Sequence, residues 1–447
     1  MGSGMVTITG GGPGVKPGSA AARRRRGGGQ TCDIHGLGSG AMTRASTLAS
    51  GAIGLLLAAA CSGSSSAGSP DAGAQVLPYY GQVQALFQRN CQGCHVTGGF
   101  APFPLETYAD ARAHAAAIAD AVGSRRMPPW KPAEGCQPLQ GARRLSDADV
   151  GTLVAWATGG TPEGDPGNAV SFSPPDGGLQ WVDLTLAPDQ PYAPKPSLTD
   201  DYHCFLLDPH LTSDHYLVGV DVEPGQRPLV HHVLLFATTS QDALAADAAD
   251  PDPGWTCFGG PGTPGTPRLL GGWVPGTEAT RFPEGTGIPL KAGEVVVMQI
   301  HYNLAAGPGV PDSTRVQMQL ARGPVAKPAA LLPFANLGFS IPAGATGYTS
   351  SVQLGSPASG VLWGVLPHMH TKGRRVTVKA GGSCLVDIPS WDFHWQQAYL
   401  FSTPVPITVG TELSLSCTWD NPTGAAVTWG EKTTDEMCLN YFYATQN

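Results

Sequence analysis

The chain has 447 residues, a net charge of −8, ten cysteines, 60 glycines and 41 prolines, and only 13% of its residues are charged. That length allows two or three domains, each with its own core. The composition fits short strands joined by many turns better than long helices, and the acidic balance argues against nucleic acid as the partner.

Residues 43–61 read TRASTLASGAIGLLLAAAC. Arg44 precedes a short stretch of small residues and leucine that is too short to span a bilayer and has the shape of an export signal. Its end, Leu57-Ala58-Ala59-Ala60-Cys61, resembles the bacterial lipobox. That resemblance implies that Cys61 is lipidated and becomes the first residue of the mature chain, and Ser62 after it implies an outer-membrane destination. Plain cleavage after Ala60 is the alternative. Met42 then reads as the true start, and residues 1–41, with the Arg23–Arg26 run and Cys32, as a leader without a fold. Residues 62–76 form a Ser/Gly/Ala tether. The expectation is an exported protein, lipid-anchored to the bacterial outer membrane, periplasmic or at the surface.

Residues 77–165 read as a small helical domain of cytochrome c type. Cys91-Gln92-Gly93-Cys94-His95 has the spacing of c-type haem attachment, in which two thiols bond the haem and the histidine is an axial ligand. Helical spacing in residues 79–90 places a short helix before it. A zinc site would need two more ligands at matching spacing, and an exported protein disfavours a reduced CxxC pair. Met127, in Arg126-Met127-Pro128-Pro129-Trp130, is the only methionine between residues 62 and 297. Its prolines suit a stiff loop carrying the second axial ligand, and His/Met ligation suits electron transfer. The competitor, His114, lies in the helical run ADARAHAAAIADAV and is expected on its surface. Residues 145–157, capped by Ser146, read as the closing helix.

After a Pro/Gly-rich linker (166–182) come short alternating runs separated by Gly, Pro and Asp: HYLVGVDV, HHVLLFAT, EVVVMQIHY, RVQMQLA, VLWGVLPHMH and ELSLSCTW. The pattern is all-β, of sandwich type. Three histidine groups stand on these runs: His231-His232, His301, and His368-Met369-His370; Met437 follows near the end. His368 and His370, two apart, share a strand face. Adjacent His231 and His232 point oppositely on a regular strand, so to serve one ion they need a strand end, a bulge or different ring nitrogens. Three imidazoles suit an ion that cycles between Cu(I) and Cu(II), whereas two imidazoles and a thioether favour Cu(I). Zinc could take the three-histidine set.

The stretches HHVLLF (231–236), GGWVPGTEATRFPEGTG (271–287), VVMQIHYN (296–303), HMHTKG (368–373) and DEMCLNYF (435–442) resemble, in order, the copper type II ascorbate-dependent monooxygenases. The resemblance implies two jelly-roll-like β-sandwich domains, here 183–325 and 326–447, with one copper each. It implies that the His231/His232/His301 copper delivers an electron, and that the His368/His370/Met437 copper binds O2 at the substrate, across a solvent cleft. The reaction would be R–H + O2 + two electrons + two protons → R–OH + water, with an external reductant such as ascorbate. Tyr441 matches a substrate-region tyrosine of the peptide-acting members. The peptide-acting members have an arginine where Leu366 stands and an asparagine where Leu439 stands, which speaks against a peptide substrate. The resemblance further implies a Cys417–Cys438 bridge. Cys204–Cys257 is the second expected pair, and Cys136 and Cys384 are left unassigned. His203, His210, His215 and His394 are taken as structural or surface residues.

The sequence thus points to a small-molecule hydroxylase using O2, two copper ions and haem c, with the haem or a periplasmic donor supplying single electrons to the His231/His232/His301 copper. A non-catalytic haem and copper electron carrier, or a copper-binding protein, is the rival expectation.

Overall fold

The computed structural model describes residues 76–97, 101–171, 178–258, 260–274, 277–304, 307, 309–393, 395–430 and 432–447. The export signal, Cys61, the tether to residue 75 and His394 lie outside them. None of the described helices is long and apolar enough to cross a membrane.

The first part is a small helical module. Helices Gln84–Asn90, Tyr108–Ala113, Ala115–Gly123 and Asp147–Thr158 pack around Tyr79, Leu86, Phe87, Ile118, Leu153 and Trp156. Two of these starts are chemically marked. Thr107 and Asp110 form a reciprocal capping box, and the Ser146 hydroxyl accepts from Asp149 N, so backbone donors that the first turn leaves open are satisfied. Tyr79 N and Tyr80 N donate to Pro162 O and Glu163 O, which ties the two ends of the module together. The run ADARAHAAAIADAV is not one helix. It breaks at His114 (φ −110°, ψ 15°), which ends one helix and begins the next.

The chain then leaves as an extended strap, residues 130–144, before returning to the closing helix. Ala133 N donates to Asp387 O, Gln137 N to Cys384 O and Gln140 N to Leu400 O, so the strap lies along two strands of the last domain. The Cys136–Cys384 disulfide, a pair the sequence left unassigned, closes this contact.

The β region forms two sandwiches. In the first, the five-stranded sheet ordered Trp255–Thr256, Asp200–Leu207, Glu294–Asn303, Val230–Thr239, Arg268–Trp273 faces strands His215–Glu223, Thr286–Leu290 and Arg315–Leu320. Alternate residues fill the space between them: Val233, Leu235 and Ala237 from one strand, Val296, Met298 and Ile300 from its neighbour, Leu217, Val220 and Met318 from the facing sheet. In the second, strands Tyr348–Gly355, Glu412–Trp419, Gly373–Ala380 and Ser383–Ile388 face Lys327–Ala335, Leu439–Gln446, Gly360–His368 and Tyr399–Ile407. Trp419, Leu415, Val376, Val378, Leu362 and Phe442 form that core.

The expected boundary at 325/326 is crossed by hydrogen bonding. Lys327 and Pro328 pair in parallel with Thr286 and Gly287, which joins one sheet of each sandwich into a nine-stranded sheet. The disulfides Cys204–Cys257 and Cys417–Cys438 lie within the first and second sandwich respectively.

The strap bond is testable by engineering a protease site after Ala169. After cleavage, the two fragments are expected to stay together on a denaturing gel until a thiol reductant is added. Separation without reductant would contradict the Cys136–Cys384 link.

Candidate metal centres

His231 and His232 start one central strand, and His301 lies near the end of its antiparallel neighbour. Ile300 and Tyr302 point into the sandwich, so His301 takes the outer face. His232 is its direct partner across the ladder. Both Val230 and Val233 point inward, which alternation alone forbids. The register shift between Val230 and His232 resolves this: His231 is the extra residue of a β-bulge, and both adjacent rings turn to the outer face. One ligand-type nitrogen from each of His231, His232 and His301 lies within 4.8 Å of the other two. His231 Nδ1 and His232 Nδ1 are 3.3 Å apart.

Two neighbours orient His301. Its Nε2 bonds Asp200 Oδ1 at 2.8 Å, and its ring stacks on Tyr202 with centroids 4.1 Å apart. Nδ1 is then the nitrogen that would ligate, and Asp200 is the carboxylate that fixes its tautomer. His301 in turn holds the Asp200 carboxyl below the ordinary carboxylate range. Burial, then the other imidazoles, pushes His232 well below the ordinary histidine value, so it is a neutral donor with a lone pair to give.

The second group forms where strand Gly360–His368 ends. Met369 is fully buried in the second core, so His368 and His370 on either side of it share the opposite face. Their rings are 5.2 Å apart and nearly perpendicular. His368 Nδ1 bonds Gln396 Oε1 at 2.7 Å, and His370 Nδ1 lies 3.3 Å from the Asp435 carbonyl oxygen. In each ring this leaves Nε2 as the ligating nitrogen. Leu439 pairs directly with His368, and Met437, two residues earlier, is buried at 5% exposure. Burial lowers both histidines, His370 to about 3.

Glu436 binds these pieces together and was not singled out in the sequence. Its carboxylate, fully buried, accepts from His370 N (3.0 Å), Lys372 N (2.6 Å) and Trp419 Nε1 (2.9 Å). It thereby ties the turn after His370 to the segment carrying Met437, and the Cys417–Cys438 bond anchors the next residue. Burial pushes its carboxyl up to about 7 against the pull of those donors. Asp200, Gln396 and Glu436 carry no spacing signal. Only Glu436 stood beside a named ligand.

The two groups are closer neighbours than an open solvent cleft implies. The Phe393 ring stacks on His231 at 5.1 Å and meets His370 edge-on at 5.9 Å. Tyr202 Oη and Thr433 Oγ1, one from each sandwich, are 3.0 Å apart. Tyr441 is half-buried opposite Leu366, and both pack against the outer-face cluster of the first sandwich that includes Phe236, Val295 and Val297.

In the helical module, His95 Nδ1 bonds the Phe103 carbonyl oxygen at 2.8 Å, so Nε2 faces away as a potential axial ligand. Cys91 and Cys94 are unbridged thiols, Cys91 pushed up to about 12 by burial and the neighbouring thiol. Met127 follows the third helix and is 40% exposed. His114 is not on a helix surface. Half-buried at the break between helices, it stacks on Phe103 at 3.8 Å. Of the remaining histidines, His203 is fully buried, bonds Pro253 O and stacks on Tyr192; His215 bonds Ser213 Oγ; His210 is exposed beside Asp208.

The buried imidazoles set a pH dependence. His370 titrates at about 3 when folded and near 6.5 when unfolded, so between these values the unfolded chain binds more protons. Stability therefore falls as pH drops through that window, by up to about 1.4 kcal/mol per pH unit for one such ring. His232 and His368 act in the same direction; Glu436, raised to about 7, acts oppositely between 4.5 and 7 and offsets one of them. The metal-free protein is expected to unfold at lower urea concentration at pH 5 than at pH 7. An equal or higher midpoint at pH 5 would contradict the burial of neutral rings.

Residues 189–307 match the N-terminal domain, and residues 346–446 the C-terminal domain, described as "Copper type II ascorbate-dependent monooxygenase". The chain is 25% identical to dopamine beta-hydroxylase of Rattus norvegicus over 56% of its own length and 44% of that protein's. It is 24% identical to tyramine beta-hydroxylase of Caenorhabditis briggsae over 59% and 48%, and 25% identical to DBH-like monooxygenase protein 2 of Mus musculus over 56% and 42%. It thus spans less than half the length of each of these relatives. Among solved structures, the major capsid protein P2 of bacteriophage PM2 covers 59% of this chain and 97% of its own at 8% identity, with a TM-score of only 0.27. The sandwich bearing His231, His232 and His301 lies in the stretch similar to the N-terminal domain, and the sandwich bearing His368, His370 and Met437 in the stretch similar to the C-terminal domain, of the copper type II ascorbate-dependent monooxygenases.

Proposed function

We propose that the chain hydroxylates a C–H bond of a small molecule with O2 and two single electrons, through copper held by His231/His232/His301 and by His368/His370/Met437. The observation that supports this is the convergence of His231, His232 and His301 on one face, with the His368/His370 pair close by across Phe393; Met437, on the segment that Glu436 ties to the turn after His370, would add a sulfur donor to the second group. Bound copper would supply one-electron exchange at the first set and dioxygen activation at the second. The residues around them do the rest. Asp200 and Gln396 fix imidazole tautomers, and Glu436 holds the Met437 segment against the turn after His370. Leu366, which pairs with Tyr441, stands where the peptide-acting members carry an arginine, which favours a small aromatic substrate over a carboxylate-bearing peptide. The names of the relatives, dopamine and tyramine beta-hydroxylases, agree with that class.

The copper reading is tested by O2 uptake of the copper-loaded, ascorbate-reduced protein offered aryl-alkyl compounds. Met437→Ile is expected to cut product-coupled uptake by roughly 10²-fold or more, since a transition-state contact worth about 2.7 kcal/mol accounts for that factor. Undiminished uptake, or no uptake by the parent protein, would count against hydroxylation and favour a copper-binding or electron-transfer role.

We further infer that the helical module holds haem c on Cys91, Cys94 and His95, with Met127 as second axial ligand, and that it supplies electrons to the copper domains. The attachment residues fit: two unbridged thiols at the end of a helix, and a neutral imidazole whose tautomer is set by Phe103 O. The attachment loop lies against the first copper domain, where a Cβ on Gly93 would stand 3.9 Å from Glu278 Oε1. An exported, Cys61-anchored protein agrees with three disulfides among the described residues. Protein made with a haem-maturation system is expected to carry covalent haem in a peroxidase-stained denaturing gel, and Cys91→Ala/Cys94→Ala to carry none. An unstained parent band would remove the haem from the account.

A further inference from the structure

One short loop of the second sandwich touches both histidine groups and the strap of the helical module. It runs between strands Ser383–Ile388 and Tyr399–Ile407. Phe393 is buried at 8% exposure, with its face on His231 and its edge toward His370. Gln396 spans the loop: its Oε1 meets His368 Nδ1 at 2.7 Å, and its Nε2 donates to the Phe393 carbonyl at 2.7 Å. The orientation of His368 and the position of Phe393 are thus set by one amide.

The strap grips this loop from outside. Lys131 Nζ pairs with Asp392 Oδ2 at 3.1 Å, next to Phe393. On the strand leading in, Ala133 N and Gln137 N donate to Asp387 O and Cys384 O, and Cys136 is disulfide-bonded to Cys384. On the strand leading out, Trp130 stands edge-on to Tyr399, Gln140 N donates to Leu400 O, and Ser402 N donates to Pro138 O. Both strands that support the loop are therefore stapled to the helical module. A segment with both ends pinned has few alternative arrangements, so the ring it carries is held in place.

We propose that Phe393 is the positioning residue that bridges the two metal groups, and that the strap of residues 130–144 braces the loop that carries it. The inference rests on the reading that both groups hold copper, and adds what sets their separation. It gives the helical module a mechanical role that does not depend on haem. Without the ring, the stacking on His231 and the edge contact to His370 vanish together. Tyr202 and Thr433 remain as a contact between the two sandwiches, so the loss is a relaxation of the cleft and leaves each sandwich intact.

The test reads distance as well as loading. The full chain is loaded with Cu(II), the bound copper is counted, and the frozen-solution EPR spectrum is compared with the sum of the spectra of His231→Ala and His368→Ala, each keeping one group. The parent protein is expected to bind two copper ions and to show dipolar broadening beyond that sum. Phe393→Leu and Phe393→Ala, at equal loading, are expected to lose most of that extra broadening, and the double variant Cys136→Ser/Cys384→Ser to lose part of it. Broadening that is unchanged or increased in Phe393→Leu, at two coppers per chain, overturns the bridge. Parental broadening in the double cysteine variant overturns the bracing by the disulfide. A parent protein that binds fewer than two copper ions overturns the copper reading itself, and the stoichiometry separates that failure from the others.

Discussion

A single extra residue in one strand governs the chemistry available to this protein. If the ladder between Val230–Thr239 and Glu294–Asn303 ran without the shift at His231, strict alternation would send one of the two adjacent imidazoles into the first core. A buried imidazole there would displace packed apolar volume and leave its ring nitrogens unsatisfied. The bulge avoids that cost and collects three imidazoles on one face. That face cannot stay open to water, because Leu234, Phe236 and Val297 lie on it beside the histidines. The second sandwich covers it with Leu366 and Tyr441, and in doing so brings its own histidines close.

The second group is held by different means. His368 closes a strand, His370 lies just beyond, and Met437 arrives from a loop with no regular ladder of its own. The pieces are joined by a buried carboxylate accepting three hydrogen bonds and by a disulfide to the strand Glu412–Trp419. A fully satisfied polar knot of this kind is costly to disturb, and that cost ties the segment carrying Met437 to the turn after His370. The ring tautomers are set from outside the metal sites by Asp200, Gln396 and the Asp435 carbonyl.

Much of this was legible in the residues. Alternation of Val, Leu and Ile gave the sandwiches, and the need for a bulge or strand end at His231-His232 followed from period two alone. The Ser146 cap marked the closing helix to within a residue. What escaped depended on partners distant in sequence. Nothing local distinguishes Asp200, Gln396 or Phe393 from other loop and strand residues. The Cys136–Cys384 bond joins residues 248 positions apart, across a contact that no periodicity encodes. The run around His114 has a helical composition throughout, yet the stacking of His114 on Phe103 accompanies a break that composition does not announce. The joining of the two sandwiches through Lys327 and Thr286 was equally hidden, because two parallel rungs leave no pattern in a strand.

The helical module changes how the copper domains are viewed. It is pinned to the second sandwich by a disulfide and a ladder of backbone hydrogen bonds, and its CxxCH loop rests near Glu278 of the first. A module held this way keeps a fixed geometry against both sandwiches, unlike one on a free tether. All of this depends on two donor sets of unlike chemistry that both take copper. Diffraction from copper-loaded crystals at the copper absorption edge tests that most directly. The account predicts two anomalous peaks per chain, one bonded by the imidazoles of His231, His232 and His301, the other by those of His368 and His370 with the Met437 sulfur. A lone peak, or a second peak without that sulfur in its coordination shell, would contradict it.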